Sequence, residues 1–219
     1  MADHDPSETI RQAAAESMRR GEDIRRRVHD VTLAALQKRR FDREGIREVV
    51  RAVTQGVTRG VTEGVPRGAD AGSSGLRERL GEAFRGMDEA LTKSVDAGQQ
   101  ALRQMLATGR GFSEHELKQG LAGLRKIEHD FVETVNEVAS SANERLRPEL
   151  KEALRQTLHA GTETGRQTAR LMAEFALTGI ELAGEFSARF MQLASGVLAG
   201  MADALQQRKE PPPKEPGPR

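Results

Sequence analysis

The widest apolar pattern in the chain runs from Arg170 to Leu205. Leu171, Phe175 and Gly179 open it, Leu182, Phe186 and Phe190 repeat it eleven positions on, and Leu193, Val197 and Met201 repeat it again. An eleven-residue period corresponds to about 3.67 residues per turn, so the stripe runs almost straight along an α-helix. A second apolar row lies beside it: Met172, Ala176, Ile180, Ala183, Met191, Ala194, Leu198 and Leu205. The remaining charges, Glu174, Glu181, Glu185 and Asp203, fall on a narrow strip with Arg189 at its edge. A helix that is apolar over most of its girth must be surrounded, by other helices or by a hydrophobic surface. The pattern predicts one long helix over 166–206 at the centre of the core.

The rest of the chain also reads as helices. In residues 1–21 the apolar content is low, with Ile10, three alanines and Met18, and Gly21 follows. This predicts a loosely ordered segment with Ser7 as its cap. From Glu22 to Arg40, Ile24, Val28, Val31 and Ala35 form a stripe, with acids at the start and bases at the end, the polarity the helix dipole favours. Asp42 then caps a stretch in which Val49, Val53, Val57, Val61 and Val65 follow helical spacing beside Gly56, Gly60, Gly64 and Gly68. Gly and β-branched residues are poor helix formers, so this Gly-Val-Thr repeat is the least regular element expected. If it is helical, Gly56, Gly60 and Gly64 make a flat groove for close helix packing, a device best known between membrane helices. Arg59, Glu63 and Arg67 argue against insertion here. Segment 22–68 therefore holds the N-terminal helices, and 69–75 is a flexible loop.

Residues 76–206 form a bundle of long helices. Leu80, Phe84, Met87, Leu91, Val95, Leu102 and Met105 mark one, ended near Gly109. Ser113 and Glu116 make a capping box for the next, with Leu117, Leu121, Leu124, Phe131, Val135 and Val138 on its stripe. Asn143–Pro148 marks a kink or a fresh start, and Gly161–Gly165 a weak point of undecided kind. The tail 207–219 holds five of the eight prolines and mixed charge, a disorder-prone composition.

Composition narrows the function classes. Aromatics make up 3%, and Trp, Tyr and Cys are absent. A core must then be built from Leu, Val, Ala and Met, with seven Phe as the only large groups. Three of these sit in 170–205, which points again to that stretch as the centre. A net charge of +1 supplies no field for nucleic acid. The opening MADHDPSETI lacks an apolar core and does not read as a secretory signal. Phe190–Ala202, the longest uncharged apolar run, is too short to cross a bilayer, which takes about 20 residues. A cytoplasmic protein that is not integral to a membrane is expected.

No catalytic chemistry is spelled out. The five histidines, His4, His29, His115, His129 and His159, show no i, i+4 pair. His115-Glu116 opens like a zinc-protease helix, but Gln119 stands where the second His belongs. No phosphate-binding loop and no nucleophile elbow occur. No catalytic, metal or cofactor-binding residues are assigned, and no cofactor is expected.

The residues Glu181–Leu205, ELAGEFSARFMQLASGVLAGMADAL, followed by PPPKEPGPR, resemble phasin-type proteins, the helical coats of bacterial polyester storage granules. The resemblance covers about a third of the chain and rests on composition. The Gly-Val-Thr repeat lies outside the phasin pattern. Runs such as MDEALTKS and SGVLAGMADAL also resemble an uncharacterised bacterial all-helical family. The resulting expectation is an all-α, elongated, mostly antiparallel bundle of long amphipathic helices. Two functions compete. One is a non-enzymatic coat on a granule or lipid surface, applied through the stripe Leu171, Phe175, Leu182, Phe186, Phe190, Leu193, Val197 and Met201. The other is a self-associating bundle, a homo-oligomer that serves as a scaffold or binds a protein partner.

Overall fold

The computed structural model describes residues 5–39, 41–64, 73–108, 114–176, 191–192 and 194–199. Among them every regular element is a helix: α1 (Pro6–Arg20), α2 (Ile24–Gln37), α3 (Arg43–Gly64), α4 (Ser73–Thr108), α5 (Glu114–Ser141), α6 (Arg147–His159) and α7 (Glu163–Ala176). Residues 191–192 and 194–199 are helical as well. This is the all-α bundle that the periodicity predicts. No helix among the described residues is long and apolar enough to cross a membrane.

Local chemistry sets the helix ends. Asp5, not Ser7, caps α1: its carboxylate accepts the Ser7 N–H at 2.9 Å, and Pro6 fits the first turn, where its missing N–H costs nothing. Gly21 ends α1 with φ +73°, a left-handed conformation that glycine adopts without strain. Asp42 caps α3 through a 2.7 Å bond from the Gly45 N–H. Asn143 closes the turn before α6 by accepting the Leu146 N–H at 2.9 Å, so Asn143–Pro148 is a fresh start and not a kink. Helix α4 begins at Ser73, inside the stretch read from sequence as a loop over 69–75.

The helices pack in two interleaved rows. Odd-numbered helices follow one another, α1 on α3, α3 on α5 and α5 on α7, while α2 lies on α4 and α4 on α6. Helix α4 also touches α3, α5 and α7, so it meets more neighbours than any other described helix. At 36 residues it is about 54 Å long at 1.5 Å per residue. Its Leu80, Phe84, Met87, Leu91, Val95 and Leu102 are all fully buried. The expectation that a 166–206 helix occupies the centre falls largely outside the described residues; among those described, α4 holds that place. Among the described residues the largest fully buried side chains are Phe84 and Phe131, on α4 and α5. Centrality follows from having neighbours on all sides, and an apolar arc does not report that. The tail 207–219 lies outside the described residues.

The Gly-Val-Thr repeat is a regular helix for reasons visible in its register. The valines Val53, Val57 and Val61 face the core. The hydroxyls of Thr54, Thr58 and Thr62 each bond the carbonyl four residues back, at 2.7 to 2.9 Å, so none is left unpaired. The glycines face α1. A Cβ on Gly56 would stand 2.7 Å from Ala14 Cβ, and one on Gly60 would stand 2.8 Å from both Ala15 Cα and Met18 Cβ. Those approaches are too close for real carbon atoms. Within the stretch 1–21, expected to be loosely ordered, Pro6–Arg20 is thus a docked helix with Ala14, Ala15 and Met18 buried. Its low hydrophobicity is offset by shape, with alanines seated in a glycine groove. The ion pairs Arg19–Glu63 and Arg59–Glu8 flank the seam.

Candidate functional site

The residues singled out from sequence divide into three groups. Leu171 is fully buried in α7, and Val197 is half-buried against the core. Phe175 belongs to α7, with its side chain outside what is described. Leu182, Phe186, Phe190, Leu193 and Met201 lie outside the described residues. Gly56, Gly60 and Gly64 line the α1–α3 seam, with Gly64 the loosest, where an added Cβ would stand 3.3 Å from Arg19 Cγ. The stripe and the seam do not come together in one site.

Both apolar rows of the C-terminal stretch supply buried positions among the described residues. Among the described side chains of α7 the buried positions are Thr164, Thr168 and Leu171, which extend the first apolar row towards its N-terminus. Over 194–199 the buried positions are Ala194 and Leu198, members of the second row, and Gln192, Gly196 and Ala199 are exposed. Ser195 Oγ accepts the Phe41 N–H at 3.3 Å and ties this segment to the entrance of α3. Beside it a cleft of about 540 Å³ opens between α3 and α5, lined among others by Arg47, Arg51, Lys126, Asp130 and Met191. Its arginines are engaged. Arg43 grips the buried Asp130 with two bonds at 2.6 and 2.7 Å, Arg47 reaches Glu133 and Glu137 at 3.0 Å, and Arg51 reaches Glu137 at 3.0 Å. The i, i+4, i+8 arginines of α3 thus zip α3 to α5.

The densest polar arrangement joins α4, α5 and the turn before α7. Gly161, at φ +78°, breaks the chain after α6. Thr162 Oγ1 accepts the Gly165 N–H at 3.0 Å as a local cap and donates to Glu128 of α5. Asp88, from the middle of α4, supplies a second cap. Its carboxylate accepts the Glu163 N–H at 2.6 Å and the Thr164 N–H at 3.2 Å. Its carbonyl accepts the hydroxyls of Thr92 and Thr164, both at 2.9 Å. Burial pushes the Asp88 carboxyl above its ordinary value, and the Glu128 charge adds to the push. The bonds from Glu163 and Thr164 oppose it. A carboxylate at a helix N-terminus complements the dipole there.

Sequence reasoning missed Asp88, although a signal existed. Phe84, Asp88, Leu91 and Val95 are spaced four, three and four apart, so Asp88 holds a position on a buried stripe. A carboxylate there demands partners. No cluster of groups able to hold a metal ion occurs among the described residues.

No curated protein and no solved structure matches the chain. A family model does match, over residues 2–207, nearly the whole length. The all-helical chain therefore belongs to DUF6781, a family of unknown function.

Proposed function

We propose that the protein is a non-enzymatic structural protein of the bacterial cytoplasm. It coats a hydrophobic surface, a polyester storage granule or lipid, as phasins do, and it applies its C-terminal stretch. One observation carries this reading. The stretch from Leu171 to Met201 repeats apolar residues on an eleven-residue period over an arc wider than one helix seam needs, while its described Leu171, Ala194 and Leu198 join the core around Phe84 and Phe131. A typical interfacial helix carries a strongly charged, often basic face. The acidic strip Glu174, Glu181 and Glu185 favours a neutral surface over an anionic membrane. Granule-bound polyester and zwitterionic lipid meet that condition.

The burial of Ala194 and Leu198 favours a second reading, in which the stripe is a seam between helices and the protein is a self-associating scaffold. Mixing the purified protein with polyester particles, neutral vesicles and anionic vesicles separates the two. Coating predicts capture by particles or neutral vesicles. A protein that stays free in every mixture and runs as a compact oligomer of fixed size is the scaffold.

A further inference from the structure

The cleft between α3 and α5 holds about 540 Å³, within the range of about 300–1,000 Å³ usual for small-molecule sites. Most of the charged residues that line it are spent within the protein. Asp42 caps α3, Arg43 holds Asp130, and Arg47 and Arg51 reach Glu133 and Glu137. Two lining residues differ: Glu44 on α3 and Lys126 on α5. Both are exposed, and neither side chain makes a hydrogen bond or an ion pair among the described residues. They stand on facing walls and do not pair with each other. Glu44 lies in the first turn of α3, where the helix dipole favours an acid. The dipole explains its place but uses neither of its acceptor oxygens. The cleft is also lined by Ile46, Ile127 and Met191. A pure anion in the cleft meets repulsion from Glu44, and a pure cation meets repulsion from Lys126. A ligand that carries both charges satisfies both walls. None of the described lining residues is aromatic, so no ring face waits for a quaternary ammonium. A primary ammonium can donate hydrogen bonds to Glu44. The compact charge of Lys126 suits a phosphate, whereas a carboxylate is matched best by the planar fork of an arginine.

We propose that this cleft binds a zwitterionic amphiphile, a molecule with a primary ammonium and a phosphate on an apolar chain. Lys126 takes the phosphate, Glu44 takes the ammonium, and Ile46, Ile127 and Met191 face the chain. Phosphoethanolamine esters have this chemistry, both as free molecules and as lipid headgroups. The charged walls of the site belong to α3 and α5, so the proposal does not rest on the coating function.

Isothermal titration of the full-length protein with hexyl phosphoethanolamine, kept below its micelle concentration, tests the site. Hexyl phosphate, hexylammonium and phosphoethanolamine without a chain serve as comparisons. The ester should bind saturably at one site, and each comparison should bind about tenfold more weakly or worse, because each lacks one of the three contacts. Lys126→Gln and Glu44→Gln should each weaken the ester by about tenfold. Both residues are exposed, so the variants should keep the fold, which circular dichroism checks. Absence of saturable binding overturns the proposal. So does a comparison that binds as tightly as the ester, or a pair of variants that bind it as the wild type does. Vesicles of phosphatidylethanolamine then distinguish the two sources. Capture that is lost in Lys126→Gln places the ligand in a lipid layer. Capture that persists in Lys126→Gln, while the soluble ester is weakened, assigns the cleft to a free molecule and leaves the surface to the C-terminal stretch.

Discussion

Gly60→Ala and Gly81→Ala make the same chemical change in two buried helix positions, and the structure assigns them opposite signs. At Gly60 the new methyl meets α1 backbone: it would stand 2.8 Å from Ala15 Cα and closer still to the Ala15 carbonyl oxygen. Carbon atoms prefer about 3.5–4.0 Å, so α1 must retreat by roughly 1 Å. No side-chain rotation absorbs the clash, because the obstacle is main chain. Overpacking of this kind costs about 1–3 kcal/mol, and alanine's better helix propensity returns about 1 kcal/mol. Because main chain is the obstacle, the cost lies in the upper part of that range, about 2–3 kcal/mol, and the net loss is about 1–2 kcal/mol. At Gly81 nothing lies within 4 Å of the place the new methyl would take, so only the propensity gain of about 1 kcal/mol remains. For a chain of this size each kcal/mol moves Tm by about 2–4 °C. Thermal melts followed by far-UV circular dichroism should therefore show Gly60→Ala lower by about 2–8 °C and Gly81→Ala higher by about 2–4 °C. Equal rises for both would show that propensity alone governs and that α1 does not sit in the glycine groove.

Arg43→Met should destabilise the protein by about 1–3 kcal/mol in urea melts, because it strips two charge-assisted bonds from the buried Asp130, with Arg47 at 3.7 Å as the remaining cation; an unchanged midpoint would mean the α3–α5 zipper is decorative. Acid should weaken the fold: Arg155 beside Glu152 pulls that carboxyl from 4.5 down to about 2, and arginines likewise hold Glu8, Glu16, Glu63 and Glu163 down. Depressed carboxyls lend stability above their unfolded values that is lost as pH falls from about 4.5 towards 2, whereas the raised Asp88 contributes the opposite slope, losing stability as pH climbs from 3.8 through its folded value. Urea midpoints measured across that range should fall in acid for the wild type, and Asp88→Asn should remove the opposing slope; midpoints flat from pH 5 to about 2 would contradict the arginine pairing. Phe186→Asp should lower helicity and Tm far more than Glu185→Ala, since the first puts a charge in the middle of the apolar stripe and surface changes stay within about 0.5 kcal/mol; equal melts would place the wrong face inward.

The helices were legible because a 3.6-residue period reports burial directly. Val49, Val53 and Val57, or Leu80, Phe84 and Leu91, announce their faces without reference to partners. The groove at Gly56 and Gly60 was legible for the same reason, since four-residue spacing stacks small residues on one side. The docking of α1 was not legible. Ala14 and Ala15 carry little hydrophobic signal, and their fit depends on the absence of side chains at Gly56 and Gly60 of α3, 42 and 45 positions away. Nor was the Asp88 cap on α7, whose donors lie 75 and 76 positions away. The sequence marks Asp88 as a polar residue on a buried stripe, but periodicity does not name the helix end it caps. The central place of α4 among the described helices depends on how many helices surround it, which a periodic pattern does not report.

The central claim is that the C-terminal stretch serves a hydrophobic surface. Flotation of the full-length protein with polyester particles and with neutral vesicles tests it most directly, with Phe186→Asp as the comparison. The account predicts that the wild type travels with the particles or the neutral vesicles and that Phe186→Asp is left behind while remaining helical. Wild-type protein that stays free of every surface and runs as an oligomer of fixed size would contradict it.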